Sequence, residues 1–157
     1  MLRILLDEHG GCTNDLFIKI DGTISHVFIA DTTWLGDFFK IEDENTEKKT
    51  EVALLIHLWK NMLLSDQPTC YLPFDLADQG GSALRITKGK KLYQINPVWT
   101  NDLTDGTSET YFLKHQIDVV WKVHSEREWQ LAPASILTGL NWSLARLDLP
   151  SIPLKYE

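Results

Sequence analysis

Residues 16–29 read LFIKIDGTISHVFI, and this stretch decides the fold. Apolar side chains alternate with other residues from Leu16 to Ile20 and again within 24–29. Such alternation is typical of a strand with one buried face. Asp21-Gly22 stands between the two runs, and Asp-Gly between alternating runs is the strongest short-range hairpin signal. The stretch therefore predicts two antiparallel strands joined by a turn.

Two helices are predicted on the C-terminal side of this hairpin. An apolar face with helical spacing runs from Val52 to Leu64, and it is broad enough to be covered on both flanks. We expect this central helix to lie on the sheet. A C-terminal helix is predicted after Pro133, with Leu137, Leu140, Leu144 and Leu147 on one face. Gly139 weakens that second helix by about 1 kcal/mol relative to alanine.

Short strands and loops fill the rest of the chain. The sequence predicts strands at Met1–Leu6, Cys70–Asp75, Ala83–Thr87, Leu92–Ile95, Tyr111–Leu113 and Ile117–Val123, a short helix within Asp31–Lys40, a loop over Thr100–Ser108 and an extended tail around Pro150 and Pro153. Pro73 and Pro97 each limit a strand, because proline cannot donate to a ladder. The expected fold class is α+β, with a predominantly antiparallel sheet built from hairpins, a central helix and a C-terminal helix. We expect a single globular domain over residues 1–157.

Composition excludes several functional classes. The chain of 157 residues carries 15 Lys plus Arg against 22 Asp plus Glu, a net charge of −7. This acidity argues against a nucleic-acid partner and favours a basic protein partner. The apolar runs are far shorter than the roughly 20 residues that a bilayer span needs, so no membrane partner is expected. Two cysteines, Cys12 and Cys70, suit a reducing compartment. We expect a cytoplasmic protein without a cofactor.

One charged cluster raises the question of catalysis. The residues Ile4-Leu5-Leu6-Asp7-Glu8 resemble the first strand of PIN-like nucleases, whose terminal aspartate binds a divalent metal. Asp7 and His9 stand two residues apart, so on a strand they would point to the same side and could share a metal or a proton, as in a metal-assisted hydrolase. A glycine turn and an antiparallel hairpin follow instead of that fold, and no His or Cys pair has zinc-ligand spacing. Cys12 has no identified base. We expect no catalytic residue and no metal, and we keep the hydrolase as an alternative.

Acidic loops and bordering tryptophans are the candidate binding residues. One acidic group is Asp43, Glu44, Glu47 and Glu51, and the competing group is Asp75, Asp78, Asp102 and Asp105. Trp34 and Trp99 border polar loops, where amphipathic aromatic side chains are favoured as interface anchors. Packing beneath the loops is the alternative for both. The pattern predicts a non-catalytic surface that binds a protein.

The stretch LPFDLADQGG, Leu72–Gly81, runs into a predicted strand. Together with the size, the acidity and the hairpins, it resembles small acidic immunity proteins of bacterial polymorphic-toxin systems, over Cys70–Pro97. The resemblance implies a cytosolic domain that binds and blocks a cognate toxin, with acidic groups steering a basic toxin by long-range attraction. A structural subunit that buries its tryptophans against its own copy is the other alternative, which leaves a homo-oligomer open.

Overall fold

The computed structural model describes residues 1–9, 11 and 13–147. Within them lie two antiparallel sheets. The first has the order β1-β2-β3, with β1 Leu2–Leu6, β2 Leu16–Ile20 and β3 His26–Ala30. The second has the order β4-β5-β6-β7, with β4 Thr69–Ala77, β5 Gly80–Lys88, β6 Tyr93–Thr100 and β7 Lys122–Val123, while β8, Trp129–Leu131, also pairs with β6. The helices are α1 Leu35–Phe38, α2 Lys48–Leu64, α3 Glu109–His115 and α4 Pro133–Leu147. The α+β class, the antiparallel sheets, the central helix and the C-terminal helix are confirmed.

The predicted hairpin is β2–β3, in which Leu16 lies opposite Ala30 and Ile20 opposite His26. Its loop is longer than the Asp-Gly signal suggests, since β3 begins at His26. The indole N–H of Trp129 donates to the carbonyl of Ile24 at 2.8 Å. The loop is therefore held against β8 by a contact that no local pattern encodes.

Both prolines that were expected to limit strands lie inside them, and those two predictions are wrong. β4 continues through Pro73 by way of a bulge before Asp75, and it is an edge strand that tolerates a missing N–H there. β6 continues through Pro97, whose carbonyl accepts the His124 N–H at 2.9 Å. A strand residue directs its N–H and C=O to the same side. The missing N–H of Pro97 therefore faces the gap between β7 and β8, and the β5–β6 ladder stays intact.

The two strands predicted over 111–123 are largely wrong. Residues 109–115 form α3, which Ser108 caps by accepting the backbone N–H of Tyr111 at 3.2 Å. Serine at this position satisfies a donor that the first turn of a helix leaves free. Only Lys122–Val123 pairs as a strand. The predicted tail around Pro150 and Pro153 lies outside the described residues.

The hydrophobic core joins both sheets and the helices in one cluster. Trp59, fully buried on α2, donates its indole N–H to the carbonyl of Pro73 at 2.9 Å, which ties the central helix to β4. On the other flank α4 covers the edge of β1. There the Ser143 hydroxyl accepts the N–H of Ile4 at 2.9 Å and donates to the carbonyl of Gly139 at 3.0 Å.

Candidate functional site

The first acidic group is partly neutralised by its own segment. Lys48 Nζ lies 3.1 Å from a Glu51 carboxylate oxygen, and Lys49 Nζ lies 3.2 Å from one of Glu47. Glu51 is also buried at the start of α2, so it is not available to a partner in this conformation. Asp43 and Glu44 remain exposed. This loop therefore presents less free charge than its sequence suggests.

The second acidic group comes together at one end of the five-stranded sheet. Asp78 lies in the β4–β5 turn, while Asp102 and Asp105 lie in the loop after β6. The two loops meet because the N–H of Asp105 donates to the carbonyl of Ala77 at 3.0 Å. We call the three exposed carboxylates Asp78, Asp102 and Asp105 the acidic end. In the described part of the chain, none of the three forms an ion pair.

Exposed apolar side chains lie beside the acidic end. The backbone N–H of Val120 donates to an Asp102 carboxylate oxygen at 3.4 Å, and the Val120 side chain is 68% exposed. Ile117, in the same segment, is 58% exposed. Tyr111 is 50% exposed and lines a shallow groove of about 400 Å³ together with Asp102. Sequence reasoning missed these three residues because it assigned them to strands.

Asp75 is separate from the acidic end. It is half-buried at the β4 bulge and interacts with Asp31, which follows β3 of the other sheet. The pKa of the Asp75 carboxyl is raised to about 6, chiefly by burial and to a smaller extent by the Asp31 charge, while a backbone hydrogen bond from Asp31 opposes both effects. Two carboxylates therefore meet where the two sheets approach. The two negative charges repel each other inside the fold. Because Asp75 is half-buried there, it is a poor candidate for the rim of an interface.

Replacing Asp75 by Asn is expected to stabilise the protein at pH 7. The folded-state pKa of about 6 exceeds the ordinary value of 3.8, so wild-type stability is lost as pH rises from about 4 to about 6. A shift of about two units corresponds to about 3 kcal/mol, and solvent screening of a half-buried group reduces this to about 1–2 kcal/mol. Urea unfolding of both proteins between pH 4 and 8 measures the difference, which should shrink towards pH 4.

Asp78→Asn is the matched control, since it removes an exposed carboxylate from the same β4–β5 hairpin. It should change the free energy of unfolding by less than about 0.5 kcal/mol at every pH. An Asp75→Asn protein that is no more stable than wild type at pH 7 would show that the ionised Asp75 carboxylate carries no such cost in the fold.

The structure separates the two tryptophan candidates. Trp34 is 1% exposed, its ring centroid lies 5.2 Å from that of Phe38, and its indole N–H donates to the carbonyl of Asp31 at 2.8 Å. It packs beneath the loop, so the interpretation of Trp34 as an anchor is corrected in this conformation. Trp99 is half-buried, with Lys122 Nζ 4.7 Å from its ring centroid. It stays a candidate contact on the face that Lys122 also occupies.

Residues weighed for catalysis do not form a constellation. Asp7 and His9 are exposed in a turn, where an Asp7 carboxylate oxygen accepts the backbone N–H of His9 at 3.1 Å. Among the described residues, no three His, Cys, Asp or Glu side chains are grouped to hold a metal ion. Ser82 and His124 line one shallow pocket without a hydrogen bond between them in the described structure. Among residues 1–9, 11 and 13–147, these side chains are therefore not grouped with a partner for acid, base or metal chemistry.

Cys70 is a free, buried thiol, and burial raises its pKa to about 11, with Lys88 opposing the shift. A thiol with so high a pKa is a weak nucleophile at neutral pH. Cys12 lies outside the described residues.

Fold and surface together define a class: an antiparallel α+β protein whose five-stranded sheet ends in carboxylates that pair with no described cation, beside exposed apolar side chains. The chain matches no protein-family model, no curated protein and no solved structure. In the described part of the chain, every helix is too short or too polar to cross a membrane.

Proposed function

We propose that the protein is a non-catalytic binding domain that captures a basic protein through its acidic end. The observation that carries the proposal is the meeting of the two loops that hold Asp78, Asp102 and Asp105, three carboxylates that form no ion pair with any described residue. Like charges gathered at one end of a molecule repel each other unless something binds there. A lysine- or arginine-rich partner would relieve that repulsion.

The neighbouring apolar residues supply what charge alone does not. Exposed acidic residues at an interface rim mainly raise the association rate, whereas buried aromatic and apolar contacts slow dissociation. Tyr111 and Val120 lie beside Asp102, Ile117 belongs to the same segment as Val120, and all three are at least half exposed. This combination of exposed charge and exposed apolar side chains supports the proposal of a steered protein interface.

The sequence resemblance to immunity proteins makes a basic toxin the first partner class to test. The proposal places the protein in the cytoplasm, where an unpaired thiol such as Cys70 stays reduced. A toxin inhibitor needs no catalytic group, so the proposal assigns no chemical role to Asp7 or His9.

Self-association is less well supported by the surface. The outer face of the three-stranded sheet exposes Val27 and Ile29. Three strands of five residues cover only about 14 by 17 Å, or about 250 Å², on ordinary strand spacings. Stable complexes bury about 800 Å² on each partner, so this face alone is too small for a stable dimer.

The test is equilibrium binding to the product of an adjacent toxin reading frame, purified as an inactive variant. The acidic-end variant Asp78→Asn, Asp102→Asn, Asp105→Asn keeps the hydrogen-bond acceptors and removes three charges. We expect it to bind about tenfold more weakly than wild type, equivalent to about 1.4 kcal/mol.

The matched control removes three exposed charges from the other acidic loop, as Glu42→Gln, Asp43→Asn, Glu44→Gln. It should bind within about twofold of wild type, since exposed charges outside the interface are screened over about 8 Å at physiological salt. Equal losses for both triple variants would assign the effect to net charge and refute the acidic end as the site. No binding by wild type would refute the toxin as the partner.

A further inference from the structure

A separate groove lies between α2 and α3, away from the acidic end. It has a volume of about 480 Å³. Its apolar lining comes from Leu54, Leu58, Met62 and Leu113, with Cys70 of β4 and Phe39 completing it. Leu54 and Leu113 are exposed at its mouth although both are leucines on amphipathic helices. Volumes of about 300–1,000 Å³ are typical of small-molecule sites.

One buried polar side chain lines this groove with an unused donor. Gln116 is 8% exposed, and its Oε1 accepts the backbone N–H of Tyr71 at 3.0 Å. This bond fixes the amide orientation, because only the oxygen can accept. The Nε2 group forms no hydrogen bond to any described residue.

The Nε2 atom of Gln116 is nevertheless accessible to solvent. Among described residues, Arg3 Nε is the sole fully enclosed side-chain nitrogen or oxygen without a partner. Gln116 Nε2 must then reach accessible space, and the groove is the space that Gln116 lines. Water can meet this donor while the groove is open, so a ligand that displaces the water must supply an acceptor of its own.

We propose that this groove binds a small apolar molecule that carries a carbonyl oxygen, with Gln116 Nε2 donating to that oxygen. The leucine and methionine side chains would cover the apolar body, and the fixed amide would set its orientation. A carboxylate is a poorer fit, because Glu109 also lines the groove and would repel it. The inference is independent of the protein-binding proposal, since it uses a different face of α3.

The test compares two ligands of nearly identical shape, 4-phenylbutan-2-one and butylbenzene, of which only the first has a carbonyl. Binding to the full chain is followed by ¹H–¹⁵N NMR, in which the side-chain NH₂ of Gln116 is itself a signal. We expect the ketone to shift that signal and to bind about fivefold more tightly than the hydrocarbon, as one hydrogen bond predicts. Equal affinity of the two ligands, or no binding of either, would overturn the proposal.

Variants separate the donor from the cavity. Gln116→Glu keeps an acceptor for the Tyr71 N–H but removes the NH₂ donor, so it should lower ketone affinity to that of butylbenzene. Leu113→Trp changes an exposed residue, so folding does not depend on it, and it should abolish binding of both ligands by filling the mouth. Leu64→Trp, at an exposed leucine of α2 outside the groove, is the control and should leave both affinities unchanged. Ligand binding that survives Leu113→Trp would place the site elsewhere.

Discussion

Gly139→Ala is expected to lower the free energy of unfolding by about 3 kcal/mol, near the upper end of what overpacking costs. A Cβ atom at Gly139 would lie 2.1 Å from the carbonyl oxygen of Leu2 and 2.7 Å from Met1 Cγ. The first of these contacts is to backbone, which cannot rotate away. The helix would have to move off β1, and the hydrogen bond from the Ile4 N–H to Ser143 would be strained or lost.

Helix propensity predicts the opposite sign for this substitution. Alanine is favoured over glycine inside a helix by about 1 kcal/mol. The steric overlap wins, because α4 approaches β1 at backbone distance and has no space for a methyl group. Urea unfolding monitored by circular dichroism measures the balance. The neighbouring exposed position supplies the control, since Thr138→Ala should change stability by less than about 0.5 kcal/mol. A stabilised Gly139→Ala protein would show that α4 does not pack on β1 in this way.

Trp34→Ala is expected to cost about 3–5 kcal/mol of stability, the usual penalty for truncating a large core aromatic. The indole is fully buried against Phe38, and it loses both that contact and the hydrogen bond to Asp31. An interface anchor would behave differently: its truncation would leave the isolated protein stable and speed dissociation of a partner.

Thermal and urea unfolding of the isolated protein distinguish the two roles of Trp34. Trp142 is the matched control, because it is a partly exposed tryptophan stacked against Arg3 and Arg146. We expect Trp142→Ala to cost no more than about 1 kcal/mol, in line with exposed cation–π contacts. An isolated Trp34→Ala protein as stable as wild type would restore the anchor interpretation.

Elements with strong local patterns were predictable from sequence. The alternation in 16–29 and the apolar face of 52–64 each fix one conformation, because either pattern buries its apolar residues in only one kind of element. The helix after Pro133 was also predicted despite Gly139. The glycine that weakens it locally is what lets it approach β1, and that reason lies 137 residues away along the chain at Leu2.

The segment 109–123 shows where local patterns fail. Its alternating Val119, Trp121 and Val123 predict a strand. In the structure the Trp121 ring instead stacks on the ring of Tyr71 in β4, with 4.8 Å between the two ring centroids, and the indole N–H donates to the carbonyl of Gln116. An irregular segment can cover a sheet with the same alternation of apolar residues. Tertiary contacts therefore decided the conformation.

The sequence identified the acidic residues of the candidate site, but it could not predict which of them lie together in the folded chain. Acidic loops could be counted from sequence, but the pairing of Glu47 with Lys49 and the meeting of Asp105 with Ala77 depend on the folded chain. Asp75, three residues before Asp78, lies in a different environment because of the bulge after Pro73. Spacing along the chain gives no hint of that separation.

The most direct test of the central claim is the association rate constant with the toxin partner, measured by stopped flow over a salt series from 20 to about 500 mM. Wild type should associate markedly faster at low salt, and this dependence should be strongly reduced when Asp78, Asp102 and Asp105 are changed to Asn. The variant with neutral residues at 42–44 should keep the wild-type salt dependence. An unchanged salt dependence in the acidic-end variant would contradict the claim that this end of the sheet captures the partner.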